Sequence, residues 1–544
     1  MAFEPVDLPW LETRTLFDGE GLLVVDKPSR VVVHGGNVAL GEDLITRLRE
    51  WLHRRGVAEP YLGVHQRLDK EASGVLLFTR SPDRNADVAR AFGAHDLERV
   101  YVAVVQGQLP AEAGELVHLL APHSGARTQV VRTGGLRAET SYRVLRRRGA
   151  RALVELRPRT GRTHQLRVQL AEVGAPIAGD RLYGGAPASR LLLHATSLGI
   201  LGRRFHASVP DELEDWLHET ETLGSRDRLA ATLTEAAWRR QPLASRHTAF
   251  RLVNEQPDGL PGVCVDRYGD FATLSVSSDE AWERRGELAE HLVGLGARGV
   301  YLKVRVRADV RRLCPSEVAP PEPIAGERAS APLVVSEYDL RWTVALDQGL
   351  STGLFVDQRE NRRLVRDLAP GARVANLFCY TGAFTVAAAR GGARHVTSVD
   401  LSRRALEVLR DNCALNGCDD SRHRIVRADV VDWLRRACRA RERYDLVVLD
   451  PPTFGTRGRG TFSVSGCYRT VARDVLRLLA PGGRLLAVTN HRKTTLSAFR
   501  RLLHAAARDA GREIAQLKDL HSPLDCPPEF DGPLPSKGVL LTVV

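Results

Sequence analysis

From residue 21 to about 210 the apolar positions fall in short runs broken by turns: GLLVVDKPS, RVYVAVVQG, TSYRVLRRRGARALVELRP and SRLLLHATSLGI. Runs this short, bounded by Gly, Pro and Ser, read as strands. With few long helical stretches between them, they predict a mixed α+β domain on an antiparallel sheet. A polar, helix-prone stretch follows from about 211 to 245. The next segment, HTAFRLVNEQPDGLPGVCVDRYGDFATLSV, shows strands cut by Asp-Gly and Pro-Gly turns and predicts a smaller α/β unit. Residues 312–332, RLCPSEVAPPEPIAGERASAP, carry dense Pro and Ala without periodicity, the pattern of a loop or linker. From there strands and helices alternate: VANLFCYTG, TVAAARGG, HVTSVD, SRRALEVLRDNCALNG, RIVRAD, YDLVVLDPP, CYRTVARDVLRLLAPGG and RLLAVTNH. Alternation at this spacing requires crossover connections and predicts a mostly parallel, doubly wound α/β sheet. The expected domains are 1–225, 226–332 and 333–544.

A chain of 544 residues is too long for one core, which agrees with several domains. Lys and Arg number 78 against 66 Asp and Glu, and the resulting +12 favours a polyanionic partner without naming it, a solvated basic surface being the other reading. No apolar run approaches the ~18 residues of a membrane span, and MAFEPVDLPW has acids where a signal peptide needs a basic start. A cytoplasmic protein without a membrane partner is expected. The eight cysteines include no CxxC pair. The closest, Cys413 and Cys418 of CALNGC, lack a second ligand pair, so free thiols are expected, and no metal.

The first candidate site begins at GVHQRLDKEASGVLLFTR, residues 63–80, where Asp69 follows Arg67 and precedes a strand. Taken alone, Asp ahead of Ser-Gly could simply cap a turn. Residues 157–185, RPRTGRTHQLRVQLAEVGAPIAGDRLYGG, add five arginines and two Gly-containing turns, a composition suited to a phosphate backbone. With KPSRVVVHGG at 27–36 and RLLLHA at 190–195, these segments resemble the RluA family of RNA pseudouridine synthases over residues 15–210. The resemblance implies that Asp69 is the catalytic carboxylate, that Arg167 keeps it ionised, that Arg67 helps hold open the RNA, and that Tyr101 lies against the target base. Arg162 and His164 are implied in substrate binding, and no cofactor is needed. Gln66 after His65, and LysGluAla where Arg-Asp-Thr is usual, depart from the family pattern beside the reacting atoms.

The second candidate site lies on NLFCYTG, residues 376–382, which ends a predicted strand and opens a helix. Gly382 would let backbone approach a nucleoside, although this is not the GxGxxG fingerprint. Asp400, Asp429 and Asp450 each close a following strand, which puts three carboxylates along one sheet edge, the first suited to ribose hydroxyls. These segments, with GLFVDQRENRR and DPPTF, resemble class I S-adenosylmethionine methyltransferases of the large-subunit rRNA group from about residue 248 onward. The resemblance implies S-adenosyl-L-methionine bound by Asn376, Phe378, Tyr380, Gly382, Asp400, Asp429 and Asp450, with Pro451, Pro452 and Phe454 against the base.

Methylating carbon 5 of a pyrimidine needs a cysteine that adds at carbon 6, whereas a ring nitrogen supplies its own electron pair. Thr489, Asn490 and His491 stand where cysteine-dependent relatives carry the thiol, and the nearest thiols are Cys379 and Cys467. The expectation is guanine nitrogen 7 with Asn490 and Asp450 in the site, and cytosine carbon 5 as the alternative. The joint reading is a bifunctional enzyme on RNA, of the large subunit, rather than an assembly factor with one inactive domain.

Overall fold

The computed structural model describes residues 7–35, 43–93, 97–123, 127–219, 223–305, 314–452, 454–457, 460–491, 493–528 and 536–544. It divides into two compact units, one running to Leu243 with Glu255–Pro261 added, the other Ala244–Asn254 with Gly262–Val544.

The first unit is built on an eleven-stranded sheet. From one edge, the order is Thr15–Gly19, Leu22–Lys27, Ser73–Thr79, Leu193–Ile200, Glu98–Gln106, Arg151–Pro158, Leu136–Arg148, Ala113–Pro122 and Thr128–Val131, with Gly63–Val64 pairing off this path to Ser73–Thr79 and Arg203–His206 to Leu193–Ile200. All of these neighbours are antiparallel except Ser73–Thr79 and Leu193–Ile200, which run parallel with His194 opposite Ser73. The runs LLVV and VLLF are apolar at every position because both faces are covered. Leu23, Val25, Leu76 and Phe78 pack in one cluster with Trp10 and Trp51, and Leu22, Val24, Val75 and Leu77 in another with Val88. Gly74 sits at φ +113, and a Cβ there would lie 2.2 Å from the carbonyl oxygen of Ala195, so the turn into this strand admits only glycine.

The boundary expected at 225/226 differs from the division of the structure, in which helix Arg226–Ala244 up to Leu243 falls in this first unit. Its Trp238 is fully buried, stacks on Trp10 with ring centroids 4.0 Å apart, and lies under the guanidinium of Arg47 at 4.1 Å. Residues 255–261 join the same unit through Asp258, which accepts from Arg239 at 2.8 Å and from both guanidinium nitrogens of Arg240 at 2.8 and 2.6 Å. Burial alone would raise the Asp258 carboxyl, but the two guanidiniums outweigh it and hold it below the usual carboxylate range.

The second unit opens with a five-stranded sheet in chain order: Ala249–Asn254, Val263–Tyr268, Phe271–Val276, Gly299–Val304 and Ala325–Gly326. Within the expected loop or linker, Gly326 pairs with Gly299, and Ile324 and Glu327 donate to Val300 and Arg298, so Ala325–Gly326 is a short sheet edge while most of the described remainder is loop. Hairpin Leu333–Glu337/Leu340–Val344 leads into a seven-stranded sheet. Numbered within that sheet, β1 is Arg373–Leu377, β2 His395–Asp400, β3 His423–Arg427, β4 Tyr444–Leu449, β5 Leu479–Thr489, β6 Ile514–Leu520 and β7 Lys537–Val543. The order is β3-β2-β1-β4-β5-β7-β6, parallel through β5, with β7 antiparallel to both neighbours. Ala375, Leu377, Val447 and Leu485 pack under helices Val430–Arg439, Val464–Leu478 and Leu496–Ala510. Val374, Leu446, Val448 and Leu486 face helices Arg359–Leu368 and Ala383–Arg390 instead. Among the described residues no helix is long and apolar enough to cross a membrane.

Helix Arg359–Leu368 is pinned by two buried ion pairs. Arg359 donates to Asp525 at 3.1 and 2.5 Å, and Arg362 to Glu337 at 2.8 and 2.6 Å. Burial opposes the Arg359 charge, yet Asp525 more than restores it and raises its pKa. Arg359→Met would leave Asp525 buried without that partner. The expected loss is about 3–5 kcal/mol in urea unfolding of the chain, with unchanged stability as the result that refutes it.

Candidate active sites

In the first unit, the chain turns immediately after Asp69, where the Ala72 amide donates to the Asp69 carbonyl at 3.1 Å. The loop after Lys27 braces that turn: Lys27 Nζ donates to the carbonyl of Lys70 at 3.2 Å, and Ser29 Oγ to that of Glu71 at 2.7 Å. Lys27 also donates to the Pro28 and Val31 carbonyls at 2.9 Å each, and its burial lowers its pKa to about 7. Across from Asp69 lies helix Gln165–Glu172. Its entry loop is shaped by buried Gln165, which donates to Glu139 O and Thr140 Oγ1 and accepts from Thr160 Oγ1 and the Arg162 amide.

That helix presents Arg167. Its Nη1 lies 3.0 Å from Asp69 Oδ2, while Nε and Nη2 fork onto Asp180 at 2.7 and 2.8 Å. Asp180 is buried, and its Oδ1 also accepts the amides of Leu182 and Tyr183 at 3.0 and 3.2 Å, so the guanidinium has a fixed counter-charge on the side away from Asp69. Burial works against the Arg167 charge, but Asp180 and then Asp69 overcome it and raise its pKa. His164, at φ +53, precedes the helix; its Nε2 is 3.9 Å from Asp69 Oδ2, and its Nδ1 is 3.0 Å from the Tyr183 hydroxyl. Burial, the largest influence, lowers the His164 pKa and favours neutral imidazole. Tyr101 lies on strand Glu98–Gln106, packed against two core clusters. Burial first raises its hydroxyl pKa, Arg99 opposes this, and the charge of Asp69 adds to it. The arrangement brings a carboxylate, a guanidinium anchored from behind and an aromatic ring to one place.

Arg67 is exposed and makes no side-chain hydrogen bond or ion pair among the described residues. Arg162, also exposed, donates from Nε to Arg137 O at 3.2 Å. Asp180 and Tyr183 were quoted in the GDRLYGG turn without a role; the sign available was a buried-type Gly-Asp turn near an arginine that needs a second partner.

In the second unit, the NLFCYTG segment leaves β1 through three left-handed residues: Phe378 at φ +59, Tyr380 at +48 and Gly382 at +81. Gly382 has a packing reason as well, since a Cβ there would meet Leu409 Cγ at 2.4 Å. The turned loop aims the Tyr380 amide at Asp400 Oδ2, 2.9 Å away, while Asp400 Oδ1 accepts the Ser402 amide at 2.8 Å. A carboxylate has about four lone-pair sites, so two remain for ribose hydroxyls. Asn376 is buried and donates to Thr385 Oγ1 at 2.9 Å, which supports the loop from beneath. Tyr380 donates to Ser351 Oγ at 3.0 Å.

Asp429 follows β3 and caps helix Val430–Arg439, accepting the Val431 and Asp432 amides at 2.8 and 3.2 Å. Asp450 follows β4. Burial first, then the charge of Asp357, push its carboxyl up to about 7 against the pull of Arg362. Burial, more than any charge, likewise raises Asp357, a residue of GLFVDQR that sequence reasoning quoted without a role. Pro451 is buried and Pro452 exposed; Phe454 begins strand Phe454–Arg457, and its side chain lies outside the described residues. Thr489, the last residue of β5, is fully buried, and the Oδ1 of Asn490 just after it is buried without a hydrogen-bond partner among the described residues.

Three carboxylates at the carboxyl ends of β2, β3 and β4 of a parallel sheet lie along one edge beside a strained loop after β1, the edge at which open α/β sheets take their ligands. Residues 303–542 match the model of the S-adenosylmethionine-dependent methyltransferases, and residues 21–172 that of the RNA pseudouridylate synthases. The chain is 35% identical over 303 residues to ribosomal RNA large subunit methyltransferase I of Klebsiella pneumoniae, covering 55% of this chain and 74% of that protein. Its counterpart in Aeromonas salmonicida is 34% identical over 359 residues, 65% of this chain and 87% of that one. The crystal structure of SMU.776 complexed with SAH superposes with TM-score 0.54 at 28% identity, covering 63% of this chain and 85% of that one. The chain belongs to the S-adenosylmethionine-dependent methyltransferases, in the group of these large-subunit enzymes. It carries an RNA pseudouridylate synthase domain as well, and so both enzyme classes.

The raised Asp450 pKa has a sign that can be checked without substrate. The folded state keeps the proton that the unfolded chain releases near its ordinary 3.8, so between about pH 4 and pH 7 this group contributes less to stability as pH rises. Asp450→Asn is therefore expected to melt about 2–4 °C above the wild type at pH 8 and level with it at pH 4. An equal gap at both pH values would exclude the titration of Asp450.

Proposed function

We propose that this chain modifies ribosomal RNA of the large subunit twice, isomerising a uridine to pseudouridine in its first unit and methylating a guanine at nitrogen 7 in its second. The observation that carries the synthase half is Arg167, anchored by Asp180 and 3.0 Å from Asp69. An ionised Asp69 acts at the ribose as nucleophile or base, the bond to uracil nitrogen breaks, the base turns, and the new bond forms to carbon 5, which gives up its hydrogen. Tyr101 stacks on the extruded base, a contact worth roughly 1–3 kcal/mol against the few needed for flipping. Arg67 and Arg162, both exposed, meet the RNA backbone, and His164 lies within reach of the Asp69 carboxylate. This step uses no cofactor.

In the second unit the donor set fits a nucleoside sulfonium: Asp400 retains lone pairs for a ribose, and the Phe378–Gly382 loop and Asp429 flank it. Bound S-adenosyl-L-methionine supplies the electrophilic methyl group. Asp450 and Asn490 hold the base edge, with Asp450 accepting a hydrogen bond from an amine when ionised, and Pro451, Pro452 and Phe454 flanking the ring. Guanine is favoured over cytosine because no thiol stands at the end of β5. Cys379 is buried, and its thiol is pushed well up by desolvation and then by Asp400, the reverse of what a nucleophile needs. The unpartnered Asn490 Oδ1 offers an acceptor to the ring and exocyclic N–H donors of guanine.

Asp69→Asn is expected to abolish tritium release from 5-labelled uridine in rRNA while methyl incorporation continues at the wild-type rate. Persisting release would remove Asp69 from its role.

The base is tested with rRNA carrying 5-fluorocytosine. A guanine enzyme gives no covalent protein–RNA adduct on a denaturing gel, and Cys379→Ser and Cys467→Ser keep most activity. An adduct lost in either variant would establish cytosine carbon 5 instead.

A further inference from the structure

The helices covering one face of the methyltransferase sheet carry a charge that neither active site uses. Val430–Arg439, Val464–Leu478 and Leu496–Ala510 share nine arginines and only three aspartates, a surplus of six positive charges. Their apolar sides are consumed in one core cluster containing Trp433, Leu434, Val471, Val475, Phe499 and Leu503, so the arginines are left on the outer side. All but Arg473 of the nine are exposed.

The layout is ordered. Arg469, Arg473 and Arg477 recur every four residues, about 6 Å apart along one helix stripe. Arg469 forks onto Asp509 of the neighbouring helix at 2.7 and 2.8 Å, and Arg473 donates to Asp474 at 2.8 Å, with Arg477 3.6 Å from the same carboxylate. The three aspartates thus orient arginines and do not neutralise the layer. Arg436, Arg439, Arg501 and Arg508 make no side-chain hydrogen bond or ion pair among the described residues. Unlike them, Arg359 and Arg362 on the opposite layer are buried and paired. A solvated surface needs no such excess of one sign, and the guanidinium fork matches phosphate in particular.

We infer that this three-helix face binds the phosphodiester backbone of the RNA being methylated, at a distance from the reacting base. This rests on the reading of the enzyme as an RNA methyltransferase and adds a second contact surface to it. Backbone contacts of this kind set register and affinity without reading sequence.

The test uses the full chain and large-subunit rRNA transcribed in vitro and stripped of protein. Arg436→Gln, Arg439→Gln, Arg501→Gln and Arg508→Gln are combined in one variant, chosen because removing unpaired exposed groups spares the fold; the exposed Arg298→Gln with Arg328→Gln on the middle sheet serves as the control. Four lost phosphate contacts should reduce the slope of log affinity against log salt by about 3, weaken binding at least about tenfold at 0.15 M salt, and raise KM with kcat and SAH affinity unchanged. The control should move the slope by less than about 1. Unchanged slope and affinity in a variant of an enzyme that still methylates this RNA would overturn the surface alone. Wild-type protein that neither binds nor methylates the RNA would overturn the surface and the functional reading together. Normal binding to stripped RNA with loss only on protein-containing subunits would assign the face to a protein partner and reject the RNA assignment.

Discussion

A guanidinium taken out of water must meet carboxylates, and this constraint organises the molecule. Arg167 is held between Asp180 and Asp69, Arg240 by Asp258, Arg359 by Asp525 and Arg362 by Glu337. The pairs span from 13 residues, Arg167 to Asp180, to 166, Arg359 to Asp525, and losing one partner of a buried pair such as Arg359–Asp525 costs about 3–5 kcal/mol. Such pairs fix geometry more than they add stability. At Asp69 the geometry matters chemically: Nε and Nη2 of the arginine are held by Asp180, which leaves Nη1 as the nitrogen that meets Asp69. Lys27 and Ser29 do the corresponding work for the backbone, gripping the two carbonyls after Asp69.

The methyltransferase edge is organised by backbone strain instead of buried charge. Three residues between β1 and the next helix have positive φ, two of them not glycine, each costing of order 1 kcal/mol or more. The surroundings hold them there: Asn376 and Thr385 below, Leu409 against Gly382, and Asp400 accepting the Tyr380 amide. Asp450 adds a second stored cost, a carboxyl whose proton is retained to about pH 7 because burial and Asp357 disfavour its charge. Strain and a displaced pKa converging on the carboxyl ends of β1, β2 and β4 mark that edge as the place where stability is exchanged for binding.

Much of this was legible in the chain because it follows local rules. Alternating strands and helices after residue 333 require a parallel sheet, and the order of its carboxylates follows from the right-handed crossover. The misread places share one cause, tertiary contacts that leave no local trace. Helix Arg226–Ala244 is polar in sequence, yet Leu229, Leu233 and Trp238, spread around it, are fully buried, against a reading that began a new domain there. The Pro- and Ala-rich segment lacks strand periodicity because only Ala325 and Gly326 pair, and a two-residue strand has no period to show. Asp180 and Asp357 gained no role because an aspartate in a turn reads as a cap until the arginine or carboxylate facing it is known.

The distribution of arginines connects these points. A net charge of +12 says little about partners, since buried, paired arginines contribute to the count of 78 basic residues without presenting any charge to solvent. Once Arg167, Arg240, Arg359 and Arg362 are set against their carboxylates, the surplus must lie elsewhere, and three helices over one sheet face hold six units of it. The same amphipathic pattern that places leucine and valine inward leaves eight of the nine arginines of those helices exposed on the other side. The periodicity that builds the core therefore also builds the basic surface, and which charges matter for a polyanion is decided by where acids are scarce, a property of the folded layer that no composition total contains.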